Sequence, residues 1–559
     1  MSHMKITGPV QPGYESVLTV DALNFVAALH ERFHLKRKEV LAAREARRAA
    51  IDHGRFPAFK VDTRAIREDT AWKVAGAAGA PGLENRRVEI TGPVAARTAI
   101  HALNSEANVW IADLEDALSP TWDNVVTGIA NLRAAVRGEL EHFAVNPDGT
   151  GRHFAVTNPT PPTIVVRPRG LHLPERHLVW VEDNGAEHTA SGALVDFGLH
   201  FFHNARELVD RGRGPYFSLN KLEAAREARL WNEVFVFAQE FLGMPLGTIR
   251  ATVLVETITA AFQMEEILWE LREHCAGLGV GRWDYLFSII KNFRNHPDFV
   301  TPDRSAVTMT VPFMHAYTEL LLRTCHKRGA HAIGGMSSLV PDRTDAALAE
   351  QAFAEVAADK EREARAGFDG SWVAHPDLIP FARAAFDAVL GEKSHQLDVL
   401  REDVDDAVRA QDLLDLAGIG GAEAVVTEAG LRTNIRVCLT YLNAWLDGTG
   451  ALVVDDRMED ASTAEISRSQ VWQWIRNGVT LDNGRTVTRT LVERFMAEEL
   501  ALIERHPADH YCDAVEVFRQ STLEDDLPDF LTTLAYERYL VDRAARRAGS
   551  MGLGALLVA

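Results

Sequence analysis

The chain has 559 residues, 47% of them apolar and 25% charged, the proportions of a soluble globular protein. That length exceeds one ordinary core, so a large domain with flanking ones is expected. Its 79 acidic residues outweigh 59 Lys and Arg for a formal charge of −20, which argues against a nucleic-acid partner, because phosphate backbones demand a basic face.

The first residues, MSHM, read in part as cloning remnant, and no basic-plus-apolar leader follows. Residues 1–85 read mostly as helix: apolar residues recur at helical spacing over 23–48, with Lys and Arg on the other faces. A Gly/Pro-containing loop at 76–82 ends this segment.

From residue 86 the pattern changes to short β-branched runs, each followed by a helical stretch. Eight strands are predicted at 88–92, 108–114, 164–167, 197–203, 250–256, 278–283, 331–335 and 371–374. Helical patterns intervene at 231–242, 260–274 and 317–327. Alternating units of this number predict an α/β fold, a (β/α)8 barrel over 86–395. The span exceeds the ~250 residues usual for that fold, and a hairpin within 171–195 accounts for part of the excess. The sixth strand has a competitor at 285–290. We place it at 278–283, because that sets Asp284 at the C-terminal face, where barrel enzymes keep their chemistry.

After about residue 391 the strands stop. Residues 396–559 read as a helical domain, with amphipathic runs at 405–416, 467–477 and 491–504 and a frayed tail, GSMGLGALLVA. Four scattered cysteines (Cys275, Cys325, Cys438 and Cys512) form no CxxC pair, so neither structural zinc nor disulfides are expected. No apolar run approaches the ~20 residues of a membrane span, and the sequence does not end in a Ser-Lys-Leu type of address. The cytoplasm is the expected compartment.

Several residues could carry chemistry, and each has a plain structural alternative. Glu256 and Asp284 close apolar strands on neighbouring barrel units, where two carboxylates can hold a magnesium ion or cap the next helix. Glu115 and Asp116 follow the second strand; acids so crowded need a cation nearby, unless they serve as helix N-terminal charge. Arg167 ends the third strand and could stabilise an enolate oxygen or pair with Glu115 or Asp116. Arg169 would share its strand face, but Pro168 and Gly170 suggest that the strand has already broken. Asp460 precedes a helix whose Ser462-x-x-Glu465 reads as a capping box, which would make it a surface charge. The run Gly277-Leu-Gly-Val-Gly281 follows a helix and is strand-like, the reverse of a phosphate-loop context. No histidines fall in HExxH spacing.

Taken together, DLEDALSPTW at 113–122, IVVRPRG at 164–170, ATVLVET around Glu256, GLGVGRWDY around Asp284 and RMEDASTAEISR at 457–468 resemble the malate synthase family in its shorter, A-type form. The resemblance runs from about residue 86 to the late 470s. It implies condensation of acetyl-CoA with glyoxylate to malate and CoA, with small-molecule substrates as the partners. It assigns Mg2+, with Mn2+ as the substitute, to Glu256 and Asp284, and the metal's waters to Glu115 and Asp116. It makes Arg167 the enolate-stabilising arginine and Asp460 the base that takes the methyl proton. Main-chain N–H groups near Gly281, Trp283 and Asp284 would bind the glyoxylate carboxylate. Trp372, in GSWVAHP at 370–376, would wall that pocket, although a core tryptophan reads as well. The nearest rival is a malyl-CoA or citramalyl-CoA lyase of the citrate-lyase β-like group, which shares the barrel acids but usually lacks a helical domain carrying MEDxxTxxIS. A catalytically inactive binding barrel is a third reading. Retention of all four central residues speaks against it.

Overall fold

The computed structural model describes residues 2–145, 149–341, 345–402, 408–420 and 425–541. Eight parallel strands close into a barrel in chain order: β2 (Val88–Pro93), β3 (Val109–Asp113), β6 (Thr163–Arg167), β9 (Tyr216–Leu219), β10 (Arg250–Val255), β11 (Cys275–Val280), β12 (His331–Ser337) and β13 (Gly370–Val373). β13 pairs with β2 to complete the ring. Helices cover the outside of the ring, so both ends of each side-chain alternation are dry, and β10 and β11 are buried at every position. This is the (β/α)8 architecture expected from the alternating pattern.

The fourth strand is a correction. Residues 197–203 lie inside the helix α2 (Gly192–Asp210), not in a strand. The aromatic residues Phe197, Phe201 and Phe202 suggest β-structure by composition. Their burial follows helical spacing instead, with Ala193, Leu194, Phe197, Phe201, Ala205 and Leu208 all packed inward. The true strand, β9, is only four residues long, too short to announce itself by alternation. The sixth strand begins and ends three residues earlier than expected, but its consequence holds: Asp284 lies beyond its C-terminal end, in the first turn of helix α3 (Arg282–Asn292).

The excess length includes two excursions from the barrel. One is the hairpin β4–β5 (Glu141–Val145, Gly151–Ala155). The other is β7 (Pro174–Val181) paired with β8 (Glu187–Ser191), the hairpin expected within 171–195. The chain start adds a third strand to it, β1 (His3–Ile6). Helix α1 (Val20–Asp52) then packs along α2, its first turn capped by the Thr19 hydroxyl, which accepts from Ala22 N–H.

The C-terminal part is mostly helical and has its own apolar core, built on α4 (Glu428–Leu446) and α5 (Ala461–Arg476). It is not strand-free: β14 (Leu452–Val454) and β15 (Arg457–Glu459) form a short hairpin. Of the run at 405–416, the described residues 408–416 form turns rather than helix. The tail GSMGLGALLVA lies outside the described residues. Among them, no helix is long and apolar enough to cross a membrane.

Arg169 shows how the barrel is tied to its surroundings. Its guanidinium is buried and donates to both oxygens of Asp196 on α2, at 2.9 and 2.7 Å, and to Glu175 on β7 at 2.8 Å. It therefore points away from Arg167, as expected if the strand ends at Pro168. Arg169→Met should strand two buried carboxylates and lower unfolding stability by about 3–5 kcal/mol. Thermal and denaturant unfolding would measure this, and a loss below about 1 kcal/mol would contradict the assignment.

Candidate active site

The C-terminal ends of β3, β6, β9, β10 and β11 converge on one buried cluster of charge. Asp113, at the end of β3, shapes the first part of it. Its Oδ1 accepts from Glu115 N–H and its Oδ2 from Ala117 N–H, both at 2.8 Å, which folds the following acids into a tight turn. Arg167, at the end of β6, grips the same carboxylate two-handed, with Nε to Oδ1 at 2.8 Å and Nη2 to Oδ2. Its Nη1 lies 3.3 Å from Asp116. Of the two salt-bridge partners weighed from the sequence, the structure selects Asp116, and adds Asp113.

Lys221, two residues beyond β9, is the residue that sequence reasoning missed. Its ammonium sits 2.8 Å from Glu115 Oε1, 2.8 Å from Asp116 Oδ1 and 3.2 Å from Asp284 Oδ2. Its backbone N–H donates to Glu256 Oε1 at 2.6 Å. One residue thus touches all four acids singled out from the sequence around the barrel mouth. It does so from a left-handed backbone conformation, φ 48°, a strained state that persists at functional sites when the surroundings impose it.

Glu256 follows β10 and is buried against Gly281. A Cβ on Gly281 would stand 2.6 Å from Glu256 Cβ, so only glycine lets the end of β11 pass there. The Gly281 N–H donates to the Tyr317 hydroxyl at 3.3 Å. Helix α3 starts directly after it with no side-chain cap. The N–H groups of Arg282, Trp283 and Asp284 therefore have no acceptor within the helix and form a donor set for an anion above the strand ends. Trp283 itself is half-buried beneath the Arg282 guanidinium, 4.2 Å from its ring centre. Trp372 is buried inside the barrel, with Arg167 5.9 Å from its ring centre and its indole N–H unpartnered among the described residues. It belongs to the barrel core and at the same time floors the site.

Asp460 arrives from the other side. It is the N-cap of α5, and its Oδ1 accepts from Ser462 N–H at 3.0 Å, Ser462 Oγ at 2.6 Å and Thr463 N–H at 3.3 Å. Thr463 Oγ1 in turn accepts from Asp460 N–H, closing a capping box two residues earlier than the one read from Ser462 and Glu465. Every one of these cap bonds falls on Oδ1, which leaves Oδ2 outside the cap. Nor is Asp460 a surface charge, being only 7% exposed. The cap is moored to the barrel by Ala461 N–H, which donates to the Asp116 carbonyl at 3.2 Å. On its outer side the β14–β15 hairpin accepts a third strand segment from the loop after β12. Val340 N–H donates to Asp456 O at 2.8 Å, and Met458 N–H donates to Ser338 O at 2.7 Å.

Burial and crowding unbalance the charges. Among the described residues, Asp113, Glu115, Asp116, Glu256, Asp284 and Asp460 face only Arg167 and Lys221 as buried cations. Burial, then Asp116, raises Glu115 well above the carboxylate range. Burial also raises Asp284 and Glu256, and the neighbouring acids add to it. For Asp116 the same desolvation is outweighed by Lys221 and Arg167, which hold it low. Burial and then Asp116 push Asp460 up to about 7.

Such a site suits a divalent cation of hard character. Glu115 Oε2 and Asp284 Oδ1 are buried without a hydrogen-bond partner, the donors are all carboxylate oxygens, and the excess is negative. Because Lys221 stands between the acids, no three His, Cys, Asp or Glu groups among the described residues close on one point. A cation that needs only one or two protein carboxylates and keeps other positions for water and substrate still fits.

Known proteins share this chain's sequence over nearly its whole length. Residues 2–64 match the family description "Malate synthase, N-terminal domain", 163–416 match "Malate synthase, TIM barrel domain" and 425–539 match "Malate synthase, C-terminal". The chain is 53% identical over 541 residues to the malate synthase of Streptomyces clavuligerus, covering 95% of this chain and 97% of that protein. It is 43% identical over 539 residues to malate synthase A of Escherichia coli K12, again covering 95% and 97%. A solved Haloferax volcanii malate synthase, in a pyruvate/acetyl-CoA ternary complex, aligns with TM-score 0.44 and 16% identity over 75% of this chain and 98% of its own. The chain belongs to the malate synthase family.

Proposed function

We propose that this chain condenses acetyl-CoA with glyoxylate and hydrolyses the resulting thioester to malate and CoA, with Glu256 and Asp284 holding Mg2+. The observation that carries the proposal is the meeting of a buried, half-free carboxylate, Asp460 on the helical domain, with the acid cluster of the barrel. When bound, the Mg2+ supplies Lewis acidity to the glyoxylate aldehyde and fixes its orientation. Mn2+ has the same preference for oxygen donors. The chain's own residues do the rest. The N–H groups of Trp283 and Asp284 at the start of α3 receive the glyoxylate carboxylate, with the helix dipole in support. Asp460 Oδ2 takes a proton from the acetyl methyl group, while the cap bonds on Oδ1 hold the carboxylate in place. The C–H electron pair becomes the enolate double bond, and the oxygen that gains charge lies within reach of the Arg167 guanidinium. The enolate carbon then bonds to the aldehyde carbon, whose C=O π pair moves onto its oxygen and takes up a proton, while the thioester carbonyl re-forms. Water finally replaces CoA at the thioester carbonyl.

Lys221, Glu115 and Asp116 have a supporting part. The ammonium binds three acids together and so sets their spacing without itself meeting a substrate. Burial alone would strip Lys221 of its proton, but Asp116, Asp284 and Glu115 reverse that and keep it charged.

Two measurements test the proposal. Purified protein with acetyl-CoA, glyoxylate and Mg2+ should release free thiol and malate. That release should stop with EDTA, return with Mg2+ or Mn2+, and fall at least about 100-fold in Glu256→Gln. Thiol release indifferent to chelator would remove the metal assignment. The pH dependence follows from Asp460. The base works only when ionised, so kcat/KM should fall about tenfold per unit as the pH drops below about 7. A profile flat down to pH 5 would contradict Asp460 as the base.

A further inference from the structure

Tyr441 on α4 is fully buried, yet its hydroxyl has no hydrogen-bond partner among the described residues. A buried, unpaired hydroxyl costs free energy and calls for a reason. Its position along α4 supplies one. One turn before it, the Cys438 thiol donates to the Ala464 carbonyl, in the first turn of α5. One turn after it, the Trp445 carbonyl accepts from the Ser119 hydroxyl at 2.7 Å, on the loop that carries Glu115 and Asp116. Tyr441 is thereby set between the Asp460 cap and the Asp116 turn, which are themselves joined by the bond from Ala461 N–H to Asp116 O. Burial first, then Asp460, Asp116, Glu465 and Glu115, raise its proton affinity. The hydroxyl therefore stays neutral, a donor at every working pH. With negative charge on the side of the site, its hydrogen is drawn that way.

Arg167 needs such help. Its Nε and Nη2 are committed to Asp113, and its Nη1 faces Asp116, so two carboxylates screen the charge it can offer. We propose that Tyr441 donates a hydrogen bond to the thioester carbonyl oxygen of acetyl-CoA as that oxygen becomes an enolate, beside Arg167. The assignment rests on the synthase reading above. In this step the methyl proton passes to Asp460 Oδ2, its electron pair forms the C=C bond, and the carbonyl π pair moves onto oxygen. Tyr441 keeps its proton throughout, and the carbonyl re-forms when the new C–C bond is made.

Tyr441→Phe removes one oxygen and keeps the ring in its apolar packing. In the full-length protein with Mg2+, kcat should fall roughly 100-fold, the loss typical of one oxyanion donor. The KM for glyoxylate should hold, and the isotope effect with trideuteroacetyl-CoA should rise as proton removal becomes slower. The melting temperature should hold or increase, because the deleted hydroxyl had no partner. Wild-type kcat and isotope effect in the variant would overturn the proposal. A rate loss matched by a lower melting temperature, with the isotope effect unmoved, would also overturn it by making Tyr441 merely structural. Wild-type protein that releases no thiol in the same assay would instead overturn the synthase reading on which this one stands.

Discussion

The acids of the proposed site are held almost wholly out of water, and the cost of that arrangement shapes the rest of the molecule. Carboxylates from three strand ends and one helix cap share a buried volume with two cations. At low dielectric each uncompensated charge is expensive. Arg167 neutralises the Asp113–Asp116 side with a two-handed grip, and Lys221 ties Glu115, Asp116 and Asp284 together from beyond the neighbouring strand, β9. What remains is an excess of negative oxygen that a divalent ion suits. The same crowding raises Asp460 to about 7, close to the value that serves a general base at neutral pH. In the proposed mechanism, one electrostatic constraint thus accounts for both the hard-cation site and the base.

Asp460, the proposed base, comes from outside the barrel, and three contacts fix it there. The capping box spends Oδ1 and aims Oδ2. Ala461 N–H ties the cap to the Asp116 turn, and the segment at 338–340 pairs with the hairpin just before it. Asp455 and Asp456, at the hairpin tip, both take positive φ, 49° and 58°, as a two-residue reversal between strands demands. Helix α5 behind the cap is buried on nearly every face. Its Gln470 and Gln473 are bonded to the 299–302 loop rather than left to water. A carboxylate mounted in this way is limited in how far it can wander from the acids below it.

Much of this was legible beforehand, and the gaps share a cause. Long apolar runs such as 250–255 declare a buried parallel strand by composition, and the acid after such a run falls at the catalytic face of a barrel. That logic located Glu256, and it settled the choice that placed Asp284 in a helix's first turn. It failed at the fourth strand, where a helix with aromatic residues on its buried face outweighed four residues of true strand. Lys221 was lost with it, because a lysine in Asn-Lys-Leu draws notice only once a strand is known to end before it. Capping-box patterns overlap by two residues at 460–465, so the sequence alone could not tell whether Asp460 or Ser462 was the cap. That choice decides whether Asp460 is a surface charge or a buried one. Tyr441 has no motif at all. Its position becomes meaningful only when α4 is seen wedged between the cap and the Asp116 turn.

The claim on which the rest depends is that Asp460 removes the methyl proton, and Asp460→Asn tests it most directly. The amide keeps the shape and can still accept the cap bonds on its oxygen, while losing the basic Oδ2. With glyoxylate and Mg2+ binding verified by calorimetry on the same preparation, turnover should drop by at least about 1,000-fold while both ligands bind as before. Turnover within about threefold of wild type would contradict the account and send the search for the base back to the barrel acids.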